Sequence, residues 1–107
     1  MNRSEYLYTK LAEECAEVIQ GVSKVLIFGQ DEVYESPENP DGLTNLQRLD
    51  GEITDVIAML HILNCEGLVP DPGDGNIAGF DAKLEKVAKY MEVSEKLGTL
   101  DAQEEKE

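Results

Sequence analysis

Residues 44–67, TNLQRLDGEITDVIAMLHILNCEG, decide the fold. Thr44-x-x-Gln47 is a capping box: the threonine side chain serves the N–H of Gln47, and the glutamine side chain serves the N–H of Thr44. Leu46, Leu49, Ile53, Val56, Leu60 and Leu63 then recur at alternating steps of three and four. That period belongs to one face of a helix, and Gly67 supplies the stop. On the shoulder of this apolar face, about 60–70° from its centre at 3.6 residues per turn, stands Glu52, with Asp55 further round.

Upstream, Leu7, Leu11, Cys15, Val18, Val22 and Val25 form a second stripe of helical period. It predicts a helix from about Ser4, as N-cap, to Phe28, stopped by Gly29. Downstream, Leu84, Val87, Tyr90 or Met91, and Ser94 mark the buried side of a third helix from about Phe80 to Leu97, closed by Gly98. Turn residues cluster at 29–42 and at 67–79, between these segments. No segment alternates as a strand, so the expected class is all-α. The expected domain runs over residues 1–98, followed by a fraying acidic tail, 99–107.

The chain has 107 residues and a net charge of −14, with 9 basic against 23 acidic side chains. One domain fits that length. The charge argues against a nucleic-acid partner, which needs a cationic face, and against docking on anionic lipid. No apolar run is long enough to span a membrane. The charged start, without a signal-peptide core, points to a cytoplasmic protein. Cys15 and Cys65 fit reduced packing residues, with neither disulfide-scaffold nor zinc spacing. A helical chain this short gains by sharing its core with copies of itself.

The acids do not fit a plain bundle. Glu13-Glu14-x-x-Glu17 places like charges one turn apart, which costs a few tenths of a kcal/mol per pair. The stripe from Leu11 to Val18 passes directly through Glu14, and a carboxylate on a core line is expensive unless neutralised. In an antiparallel hairpin that sets Glu17 level with Glu52, Glu14 comes level with Asp55. Four carboxylates converging there cannot all stay ionised without a cation. Hard oxygen ligands suit Mg²⁺, with Mn²⁺ as a substitute.

At these residues the sequence resembles the MazG-like all-α nucleoside triphosphate pyrophosphohydrolases, whose signature is EExxE followed by ExxD. The strings LAEECAEVIQGVSKVLIFG (11–29), LTNLQRLDGEITDVIAML (43–60) and KLEKVAKYMEVSEKLGTL (83–100) look like the short single-domain bacterial and phage members. The resemblance implies a helical hairpin plus a third helix, with a four-helix bundle completed by homo-oligomerisation, as homodimer or homotetramer. It implies hydrolysis of a (deoxy)nucleoside triphosphate to the monophosphate and pyrophosphate in the cytoplasm of a bacterial cell or phage-infected host. Glu14, Glu17, Glu52 and Asp55 would be the Mg²⁺ ligands. Glu13 would be an additional catalytic acid beside Glu14, on a further ion or orienting the attacking water. Hydrolysis of phosphoribosyl-ATP is an alternative on the same fold, and a non-catalytic acidic helical interaction module is an alternative of another class.

Supporting residues can be placed around this site. Gln20 and Lys24 continue the stripe of Glu13 and Glu17, and Lys24 lies about 10 Å beyond Glu17. Lys83, Lys86 and Lys89 form the one cationic cluster, suited to the β- and γ-phosphates or to a solvated helix face. Arg48 lies one turn before Glu52 and can pair with it. Phe28, Tyr34, Met59 and Tyr90 offer flat surfaces for a base, although Phe28 and Tyr90 equally suit core packing. His61 faces away from the acids, as a surface or interface residue. The loop 29–43 is either a lid over the base or a tolerated insertion.

Overall fold

The computed structural model describes residues 1–70 and 77–102. Pro72, Gly73 and Gly75 of the second turn cluster, and the tail from residue 103 onward, lie outside the described residues. Three helices follow in order: α1 (Arg3–Phe28), α2 (Asn45–Cys65) and α3 (Ile77–Leu97). Among the described residues there is no strand, only an isolated antiparallel bridge between Val33 and Thr44. The chain divides into two compact units, Met1–Pro70 with α1 and α2, and Asp71–Glu107 with α3.

The helix ends follow local chemistry. Gly29 stops α1 at φ 93°, and the capping box of Thr44 and Gln47 opens α2 as expected. The N-cap of α1 is Asn2 rather than Ser4: its side chain accepts from the N–H of Glu5 at 2.8 Å. Asparagine caps as well as serine does, so Ser4 falls inside the first turn. At the end of α2, Gly67 at φ 72° donates to Asn64 and Leu68 donates back to Leu63. Gly98 and Thr99 make the same pair of bonds, to Glu95 and Ser94, after α3. Both are Schellman closures, which need a residue at positive φ. The third helix starts at Ile77, three residues before Phe80, because a glycine near a helix end costs little enough to be absorbed.

In the first unit α1 packs against α2 as an antiparallel hairpin. The line of α1 that turns inward is Leu7, Leu11, Glu14, Val18, Gly21 and Val25. Cys15 and Val22, read as part of the stripe, are exposed. On α2 the inward line is Asn45, Leu49, Glu52, Val56, Leu60 and Leu63, while Leu46 and Ile53 are exposed. A single partner helix covers only a narrow seam, so apolar residues about 60° or more from its centre stay outside. The register matches the expected one. Glu17 stands at Glu52, Arg3 is ion-paired with Glu66, and a β-carbon at Gly21 would meet Leu49 Cδ1 at 3.1 Å. Gly21 therefore lets the helices approach closely just below the acids.

The connecting loop is tied down rather than loose. Asn39 is buried; its Nδ2 donates to the carbonyls of Tyr34 and Leu43, and its Oδ1 accepts from the N–H of Leu43. Backbone bonds from Asn45 to Glu32 and from Leu46 to Gln30 fasten its first half to the start of α2. On α3, Leu84, Val87, Tyr90 and Met91 are exposed rather than buried. They are the apolar stripe of the only helix among the described residues of the second unit.

Candidate functional site

Three of the five acids singled out above converge. Glu14, Glu17 and Glu52 each offer one carboxylate oxygen, and these oxygens lie within 4.8 Å of one another. The hairpin seam produces this: Glu14 and Glu52 occupy inward positions where leucines would pack, and Glu17 flanks them one turn on. Two oxygens, Glu14 Oε2 and Glu52 Oε2, are shut off from solvent without a hydrogen-bond partner.

The electrostatics reflect that crowding. Burial, then the negative charges of Glu17, Asp55 and Glu13, hold the Glu14 carboxyl above the usual carboxylate range. Burial also raises Glu52, followed by its hydrogen bond to Glu17 and the charges of Glu17, Asp55 and Glu14. Desolvation and like charge both oppose ionisation here. Asp55 thus lies within electrostatic reach of both inward acids, although its own side chain is exposed. Glu13 points elsewhere and pairs with Lys10 at 3.1 Å.

Glu17 and Glu52 open onto a cleft on one side of the hairpin. A cleft of about 230 Å³ is lined by Glu17, Gln20, Lys24, Glu38, Asn45, Arg48 and Glu52. Gln20 and Lys24 are thereby brought to the acids as expected. Lys24, Glu38 and Asn45 also line a larger cleft of about 680 Å³, walled by Phe28 and by Glu32–Glu35 of the loop. The loop is therefore a wall of the cleft. Met59 is half-buried and lines neither. Arg48 makes no ion pair with Glu52; its Nη1 is buried without a partner beside the acids.

Lys83, Lys86 and Tyr90 come together on α3, in a concavity of about 410 Å³ with Val87, Met91, Ser94, Thr99 and Leu100. Lys86 Nζ lies 6.0 Å from the centre of the Tyr90 ring, the range of a cation–π contact. Cys15 and Cys65 are free and exposed. His61 is exposed too, 3.6 Å from Cys65 Sγ.

Two residues of this region escaped the sequence reading. Glu38 is one acid among many in the loop. Asn45, 2% exposed, sits inside the capping-box segment and looks like an ordinary first-turn residue.

The donor set suits a hard divalent cation. It consists of carboxylate oxygens only, grouped tightly, two of them dry and unpartnered. No family model, no curated protein and no solved structure matches the chain.

Proposed function

We propose that the chain is a Mg²⁺-dependent nucleoside triphosphate pyrophosphohydrolase, in which the hairpin acids hold the metal and the adjoining clefts hold the nucleotide. The observation that carries this reading is the pair of buried carboxylate oxygens, Glu14 Oε2 and Glu52 Oε2, without partners, beside Glu17. A buried unpaired carboxylate is costly, and a cation is the group that offsets the cost at three acids at once. Glu14, Glu17 and Glu52 would be ligands, with Asp55 completing the set.

When bound, Mg²⁺ supplies charge neutralisation at the phosphoryl oxygens and a more acidic bound water. The chain's own groups do the rest. Lys24 and Arg48 are the cations lining the cleft beside the acids, and they would grip phosphoryl oxygens and hold the chain of phosphates in line with the attacking water. Gln20 would donate to the same oxygens. Glu13 would serve as the additional acid once it leaves Lys10, a weak exposed pair. Water adds to phosphorus and loses its proton, the α–β anhydride breaks, and monophosphate and pyrophosphate leave.

A homo-oligomer belongs to the same proposal. Ile19, Val22, Leu26, Ile53 and Ile57 are exposed. Helical geometry puts them on the flank of the hairpin opposite Glu17, Lys24 and Asp55. Pairing of two such flanks would build a four-helix bundle and leave the acids and clefts open.

The test is product analysis on the canonical dNTPs and NTPs. Pyrophosphate should appear only with Mg²⁺ or Mn²⁺, and Glu14→Gln and Glu52→Gln should each abolish it with helicity intact. Full activity in either variant rejects the metal assignment.

A further inference from the structure

Asn45 is nearly inaccessible, yet its side-chain oxygen has no partner. The residue is 2% exposed, its Nδ2 donates to the carbonyl of Gly29 at 3.0 Å, and its Oδ1 is buried and unsatisfied. The bond to Gly29 fixes the amide: turned over, it would set oxygen against oxygen. Asn45 therefore holds a spare acceptor, and the residue belongs to the shared wall of the two clefts. The larger cleft has the volume of a small-molecule site. Phe28 and Tyr34 give it aromatic surface while remaining 58% and 54% exposed, so neither ring is engaged in the core. The other polar side chains on its wall are the carboxylates Glu32, Glu35 and Glu38 and the Tyr34 hydroxyl, with Lys24 at the junction to the acids.

We infer that the larger cleft is a nucleobase subsite in which Asn45 Oδ1 accepts a hydrogen bond from an exocyclic amino group, so that amino-bearing bases are taken in preference to uracil and thymine. This rests on the nucleotide reading above and names the part of the substrate that the second cleft takes. The reason for the preference is the sign of the wall. An amino group brings two N–H donors to Asn45 Oδ1 and the carboxylates beside it, whereas uracil and thymine bring one N–H flanked by two carbonyl oxygens. A carbonyl oxygen set against Oδ1 in place of the amino group leaves no hydrogen between the two acceptors. A buried acceptor left unpaired in this way costs as much as a hydrogen bond contributes, or more. The base stacks on Phe28 and Tyr34, and Lys24 lies where the sugar and phosphates leave the larger cleft for the acids.

Ligand-observed NMR on the intact protein tests this with nucleosides, which carry no phosphate and need no turnover. Adenosine and cytidine should bind. N6,N6-dimethyladenosine, N4,N4-dimethylcytidine and uridine should bind weaker by about tenfold or more, the loss expected when a buried acceptor is left without its donor. Phe28→Ala and Tyr34→Ala, at exposed positions, should weaken adenosine without changing the thermal shift produced by Mg²⁺. Equal binding of the dimethylated nucleosides or of uridine, or no nucleoside binding at all, overturns the assignment. The two readings fail separately. Hydrolysis of all triphosphates without regard to base, with no nucleoside binding, removes the subsite and keeps the hydrolase. Selective nucleoside binding with no pyrophosphate from any triphosphate removes the hydrolase and keeps the subsite.

Discussion

Glu14 replaces an apolar residue at an inward position of α1, and its neighbour across the seam, Glu52, does the same on α2. Both carboxyls are held above their ordinary value of 4.5, by burial first and by neighbouring acids next. Above 4.5 the folded chain therefore keeps protons that the unfolded chain has released. Stability must then fall as pH rises through the raised values, because the native state binds more protons there. Without divalent ions, the melting temperature should drop between about pH 4.5 and neutrality, and Mg²⁺ should restore it at neutral pH but not at pH 4.5, where ligands are protonated. The double variant Glu14→Gln/Glu52→Gln should flatten the profile and lose the Mg²⁺ response. A wild-type profile that rises over this range would contradict the assignment. Glu66 acts oppositely: its bond to Arg3 lowers it, so its contribution is lost as pH falls below 4.5. Glu14 was legible in the sequence because it interrupts a periodic stripe. Asn45 was not, since burial and an unpaired oxygen have no signature in residue spacing.

Between the two packed helices, the loop shows how a connection becomes a wall. Asn39 is its clasp, with three hydrogen bonds to Tyr34 and Leu43. Asn39→Ala should cost about 1–3 kcal/mol, from the backbone groups left unpaired. Urea denaturation measures that loss, and hydrogen exchange should rise at Leu43, whose N–H bonds to Asn39 Oδ1. An unchanged midpoint would mean the clasp is dispensable. The capping box, the glycine stops and the helical periods were readable because each depends on a few adjacent residues. Whether 29–43 was an insertion or a working wall was not readable, since the answer lies in contacts with α2. The inward lines of α1 and α2 shifted for a related reason: a stripe read from hydrophobicity is broader than the seam one partner can cover, and only the packing selects which part is used.

The first unit has few residues to enclose a core. Among the described residues, Leu7 and Leu63 are the only buried apolar side chains, while Ile19, Val22, Leu26, Ile53 and Ile57 face out. Exposed apolar area on one flank is what the proposed pairing of two copies would cover. Light scattering coupled to size exclusion should give a dimer or tetramer for the wild type. Ile53→Glu and Ile57→Glu should shift it to monomer, by placing a charge on the shared face. A wild type that is monomeric at all concentrations would remove the bundle from the proposal.

Helix number, the capping box of α2, the glycine stops and the identity of the acids are properties of short-range spacing, and the chain spells them out in order. The meeting of Glu14, Glu17 and Glu52, the separation of Glu13 from them, and the free oxygen of Asn45 depend on which side chains two helices shield from water together. Burial is a collective property of packed surfaces, so it changes the cost of a charge or an unpaired atom without leaving any mark in the order of residues.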